Sequence, residues 1–174
     1  TGTLGMEAAI VNTVKRGDNL LVISHGYFGE RFVELSERKG INVDVLRCKW
    51  GQIVPLEEIE AKLKSKKYQA VTVTHVDTST GVLAPVKEIG EIVKKFEDTL
   101  LIVDGVCATG AIEEKVDEWG IDILLTGSQK AFGMPPGLTM LWTGPKALER
   151  RKAMGTIEAY YADFNQWIGI MDDP

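Results

Sequence analysis

Cysteine and histidine are scarce in this chain of 174 residues, which has two of each. Cys48 and Cys107 lie far apart and neither belongs to a CxxC or Cys/His cluster, so neither a disulfide framework nor a structural zinc site is indicated. Positive charge is in deficit: 20 Lys and Arg stand against 25 Asp and Glu, and the net charge of −5 argues against nucleic acid as a partner. No apolar run approaches the roughly 20 residues that a membrane-spanning helix needs. No charged, apolar and small-residue sequence opens the chain as a signal peptide would. The expectation is a cytoplasmic protein with no membrane partner. The GxxxxGK[ST] and GxGxxG phosphate loops and the GxSxG nucleophile elbow are all missing, which weakens nucleotide, dinucleotide and serine-hydrolase readings. An initiator Met is missing as well. The chain opens Thr1-Gly2-Thr3 and runs almost at once into a helical pattern, so the expectation is a piece cut from something longer.

What is present is the composition of an ordinary globular domain, with 44% hydrophobic and 26% charged residues, enough for one sizeable core. Short apolar runs of strand length occur at 19–24, 43–48, 70–75, 100–104, 121–126 and 138–142. Most lack polar alternation, as strands buried on both faces of a parallel sheet do. Helical stripes fill the gaps: Phe28, Phe32 and Leu35; then Leu56, Ile59 and Leu63; then Val86, Ile89, Ile92, Val93 and Phe96. Strand alternating with helix predicts an α/β fold with a mostly parallel sheet. The segment 4–14 is apolar nearly all round, which predicts a helix sunk between the sheet and something else. Residues 159–171 are rich in aromatics and carry no obvious terminal element.

In an open parallel sheet, ligands sit beyond the carboxyl ends of the strands, so the residues closing each run are the informative ones. These are His25-Gly26-Tyr27-Phe28-Gly29, then His75 to Gly81, then Asp104-Gly105-Val106, then Gly127-Ser128-Gln129-Lys130. Gly2-Thr3 opens the first helical pattern, where free backbone N–H groups and the helix dipole favour an anion such as a phosphate ester. A partly desolvated lysine, a strand-end aspartate and an anion site together are what pyridoxal phosphate needs. The lysine forms the Schiff base and must lose its proton to do so. The aspartate keeps the pyridine nitrogen protonated, so that the ring can accept electrons from the substrate carbon. An aromatic side chain stacks on the ring.

The motifs TGTLGMEAA (1–9), SHGYFGER (24–31), HVDTSTGVLAPV (75–86), VDGV (103–106) and GSQKAFGMPPG (127–137) occur in this order. Through them nearly the whole chain resembles the class V aminotransferases of fold type I, and within them the alanine/serine–glyoxylate group. GSQKAFGMPPG is the most specific of the set. The resemblance implies a three-layer α/β/α fold, with residues 1–174 forming the pyridoxal-phosphate-binding large domain. The family's covering N-terminal segment and C-terminal small domain fall outside it. It also implies that Lys130 is the Schiff-base lysine, Asp104 the partner of the ring nitrogen and Phe28 the ring-stacking aromatic. Thr78 is similar to the residue near the ring oxygen, Val106 to the one packing on the opposite ring face, and Gly2, Thr3 and Gln129 to phosphate contacts. Asp77 stands where many members carry Glu, and Phe28 where several carry Trp. The implied partners are a small amino acid such as alanine or serine, a 2-oxo acid such as glyoxylate or pyruvate, and a second copy of the chain.

Taken singly, these residues have plainer readings. A lone Lys is usually solvated, an Asp at a strand end usually caps a turn, and Phe28 fits a core stripe with Phe32 and Leu35. Thr78, Ser79 and Thr80 fit a loop whose hydroxyls satisfy the backbone. His25 and His75 read as structural, with no carboxylate partner evident in sequence, and Cys107 reads as a small buried residue. Two other functions stay open. A cysteine desulfurase or related class V enzyme would share the fold, although there one His usually precedes the lysine and another stacks on the ring, where this chain has Gln129 and Phe28. A folded fragment that turns nothing over is the other.

Overall fold

The computed structural model describes residues 1–172. Six strands form one sheet in the order β2-β1-β3-β4-β5-β6. They are β1 (Asn19–Ser24), β2 (Asn42–Arg47), β3 (Ala70–Thr74), β4 (Leu100–Asp104), β5 (Ile123–Gly127) and β6 (Thr139–Thr143). All neighbours pair in parallel except β5 and β6, which are antiparallel. The expected strand runs are therefore all present, shifted by a residue or two at their ends. Ile121 and Asp122 fall before β5, because Asp122 turns its carboxylate back to accept the Leu101 N–H at 2.8 Å.

Strand residues alternate between two cores, which makes three layers. Leu21, Ile23, Val71, Val73, Leu101 and Val103 pack on α3 (Leu56–Ser65), α4 (Val86–Val93) and Trp119 of the short α5 (Val116–Trp119). Leu20, Val22, Ala70, Leu100, Ile102 and Leu125 face α1 (Gly2–Val11) and α2 (Tyr27–Arg38), with Ala147 of α6 (Pro145–Ala153). β3, β4 and β5 are buried throughout and β1 nearly so. β2 and β6 are half-exposed because each lies at a sheet edge, and β2 accordingly reads as alternating Asn-Val-Asp-Val-Leu-Arg. The third helical stripe ends as a helix at Val93 rather than Phe96. Lys95 and Phe96 close tighter turns onto Ile92 and Val93 instead.

Helix α1 lies so close to the sheet that a Cβ on Gly5 would stand 2.6 Å from Thr139 Oγ1. An adjoining side of the helix, with Leu4 and Ala8, meets the C-terminal aromatics across an apolar groove that Leu141, Phe164 and Trp167 also line. The segment 159–171 does carry elements, a 3₁₀ turn at Phe164–Gln166 and a short helix α7 at Ile168–Asp172. The segment is held by buried polar bonds. Arg151, 1% exposed, grips Asp163 through Nε and Nη2 at 2.7–2.9 Å, and Asn12 accepts the Phe164 N–H at 2.9 Å. Among the described residues no helix is long and apolar enough to cross a membrane.

Candidate active site

The sheet order places a topological switch between β1 and β3. The chain leaves β1 into α2 on one face and leaves β3 towards α4 on the other, which opens a crevice at their carboxyl ends. A cleft of about 300 Å³ lies there, and it is lined by all of the predicted site residues: Gly2, Thr3, Phe28, Thr78, Asp104, Val106, Gln129 and Lys130. Parallel strands bring their carboxyl ends to one edge whatever the side chains are, so motifs at strand ends converge.

Asp104 closes β4 and is only 2% exposed. Its carboxylate accepts the Val106 N–H at 2.9 Å, and among the described residues no cationic side chain pairs with it. Burial pushes its pKa up from 3.8 to about 6; Asp77 and Glu114 act in the same direction, while the Val106 N–H and the charge of Arg31 oppose. Gly2, at the first turn of α1, would bring a Cβ to 3.1 Å from Val106 Cγ2, so a side chain there would press on Val106 at this corner. Gln129 and Lys130 head the segment 129–138, which is exposed throughout. The expected partial desolvation of Lys130 is therefore not provided by this chain itself.

The loop after β3 performs a task that the sequence did not disclose. Asp77 is fully buried; its Oδ2 accepts the N–H groups of Phe28 (2.9 Å) and Gly29 (3.3 Å), and its Oδ1 accepts from Ser79. Ser79 Oγ in turn accepts the Tyr27 N–H at 2.9 Å. The first amides of α2 are thus capped from another loop, since the N-cap residue is Gly26 and has no side chain to offer. A Cβ on Gly26 would lie 2.4 Å from Ser79 Oγ, which explains the glycine.

Other neighbours differ from the sequence reading. His75 has a carboxylate partner after all: Nδ1 lies 2.6 Å from Glu114 Oε1, both side chains being 4% exposed. Their separation of 39 positions left no local signal. His25 keeps its structural reading, for Nε2 accepts the Val54 N–H at 3.1 Å and burial lowers its pKa against the pull of Asp77. Cys107 is half-buried rather than buried and lines the cleft, its Sγ 2.8 Å from Thr78 Oγ1. Arg31, also at the cleft, escaped notice, although its spacing of three from Phe28 on one helix was a usable signal.

The family model described as Aminotransferase class-V matches residues 1–163. The alanine–glyoxylate aminotransferase 1 of Saccharomyces cerevisiae is 39% identical over 99% of this chain and 47% of its own length. A serine–glyoxylate aminotransferase of Arabidopsis thaliana is 34% identical over 97% of this chain and 43% of its own. The crystal structure of the ureidoglycine–glyoxylate aminotransferase of Bacillus subtilis superimposes with a TM-score of 0.91 at 36% identity, covering 95% of this chain and 43% of that one. The chain thus spans less than half the length of these relatives. With the family model matched across most of its length, this chain belongs to the class-V aminotransferases.

Proposed function

We propose that the cleft binds pyridoxal phosphate, and that the protein to which this chain belongs moves an amino group from a small amino acid to a 2-oxo acid. The observation that carries the reading is the presence, in one cleft, of Lys130, the buried unpaired carboxylate of Asp104 and the amino end of α1. Asp104 fits the cofactor because a buried carboxylate without a cation favours a ligand that donates a charged N–H to it. Gly2 fits because it stands in the first turn of α1 at the cleft, where helix N–H groups favour an anion such as a phosphate.

Pyridoxal phosphate, when bound, supplies an aldehyde that joins to an amine and a ring that takes up electrons from the substrate carbon. Lys130 Nζ would be the amine that holds the aldehyde carbon and the base that moves a proton at the substrate Cα. Asp104 Oδ holds the proton on the ring nitrogen. Phe28 and Val106 confine the ring, Thr78 Oγ1 bonds near its oxygen, and Gly2, Thr3 and Gln129 take the phosphate. The three relatives named above share glyoxylate as one partner and differ in the other. Glyoxylate is therefore the 2-oxo acid we assign, with alanine or serine as the donor. Residues 1–174 serve as the cofactor-binding large domain of a cytoplasmic homodimer in this reading.

The test is covalent capture. The chain is titrated with pyridoxal phosphate, reduced with borohydride and mapped by peptide mass spectrometry. A pyridoxyl group on Lys130 is expected, and it should vanish in Lys130→Ala. Capture on a different lysine, or none, refutes the assignment.

A further inference from the structure

We infer that Arg31 is a positioning residue of the cofactor cleft, one guanidinium fixing Thr3 at the phosphate end and Phe28 at the ring end while supplying a positive charge between them that no carboxylate among the described residues pairs with directly. Its Nη1 donates to Thr3 Oγ1 at 2.8 Å, and its Cζ lies 4.8 Å from the centre of the Phe28 ring and 5.1 Å from that of Tyr27. Phe28 and Arg31 are three apart on α2 and share a face of that helix, so the aromatic and the cation reach the cleft together.

Among the described residues no carboxylate pairs directly with this charge: most acids around it are engaged elsewhere, and Asp104, in the same cleft, attracts it without bonding to it. Glu30 takes Ser24 and Arg47 at 2.7–2.9 Å. Glu34 pairs with Arg38 at 2.5 Å, and Glu7, one turn along α1 from Thr3, pairs with Lys39 at 3.7 Å. Asp77 is consumed in capping α2. Among the described residues Arg31 forms no ion pair with any carboxylate. A half-buried arginine left in this state beside the amino end of a helix is matched by a ligand that carries an anion, and its planar cation stiffens the ring that the ligand stacks on.

The inference rests on the cofactor reading, and the experiment separates the two. Capture at Lys130 is followed against concentration for pyridoxal phosphate and for pyridoxal, which lacks the phosphate. In Arg31→Met the half-saturating concentration of pyridoxal phosphate should rise about tenfold or more, and that of pyridoxal by no more than about threefold, so the preference for the phosphate ester falls. Arg31→Lys, which keeps the charge, should recover most of that preference. Thr3→Ala added to Arg31→Met should cost less than it does in the unsubstituted chain, because the two side chains act as a pair. Equal losses for both ligands, or an unchanged preference, mean that Arg31 only packs the helix and overturn the inference. Absence of capture in the unsubstituted chain overturns the cofactor reading, and this inference with it. If circular dichroism shows Arg31→Met to be unfolded, Arg31→Gln replaces it as a neutral variant with the same expected loss of preference.

Discussion

Replacing Asp104 with Asn tests the electrostatics of the cleft without any ligand. The substitution keeps the shape and an oxygen to accept the Val106 N–H, but removes the titratable group. In the folded chain the Asp104 pKa is raised from 3.8 to about 6, so the folded state holds its proton over a pH range in which the unfolded state has released it. Stability from this group is complete below about pH 4, declines as pH rises towards about 6, and stays low above that. A rise from 3.8 to about 6, at about 1.4 kcal/mol per pH unit, amounts to a loss of about 3 kcal/mol. Asp122, also raised by burial, slopes the same way, while Glu30, Asp44, Glu60 and Asp98 are lowered by their lysine, arginine or hydroxyl partners and slope oppositely. All of these are common to both proteins and cancel in the comparison. Urea unfolding of the two chains at several values between about pH 4 and pH 7 should therefore show Asp104→Asn gaining about 2–3 kcal/mol relative to the unsubstituted chain. Parallel stability curves across that range would refute the claim that Asp104 sits charged, buried and unpaired. With pyridoxal phosphate added at neutral pH, the unsubstituted chain should be stabilised more than the variant.

Asp77→Ala uncaps α2 and leaves buried N–H groups unpaired, so chemical denaturation should show a loss of roughly 2 kcal/mol or more, with capture of pyridoxal phosphate weakened through the displaced Phe28. Asp163→Ala strands the buried guanidinium of Arg151 and should cost about 3–5 kcal/mol in the same assay, whereas a loss under about 1 kcal/mol would mean that Arg151 finds water. Tyr160, Tyr161 and Trp167 are 76%, 68% and 41% exposed, and light scattering should show the chain self-associating; a clean monomer at all concentrations counts against the homodimer.

The parts of the fold legible in sequence are those whose residues are dictated by burial on two faces. β1, β4 and β5 read as largely apolar runs because helices cover them on both sides, and six of the eight predicted residues converge because strand ends do, with Gly2 and Thr3 brought to the same cleft by the start of α1. The direction of β6 was not legible. It is set by the segment 128–138, which carries no helix to return the chain to the opposite edge, so β6 folds back antiparallel against β5. Nor were the roles of Asp77 and Glu114, whose partners lie 49 and 39 positions away. Propensity and periodicity report on neighbours along a helix or strand and are silent about such pairs. Lys130 shows a different gap: its motif led to the cleft, where the structure leaves the residue exposed, and a motif carries no information on solvation.

The same arrangement that suits the cleft to its ligand makes it a poor contributor to folding. Asp104 is buried without a cation, with Asp77 and Glu114 adding to the negative potential around it, while Arg31 stands nearby without an anion. Arg31 and Asp104 each reduce the other's cost through their attraction, yet they form no direct pair. A direct pair would lock the carboxylate and consume the charge, leaving nothing for a ligand to satisfy. Holding them apart keeps two complementary deficits open across one cleft, an acceptor awaiting a charged N–H and a cation awaiting an anion. Pyridoxal phosphate carries both partners on one ring. The stability that the folded chain forgoes at Asp104, about 3 kcal/mol, is therefore available to strengthen binding, in the same way that strained or unpaired groups at active sites generally trade stability for affinity.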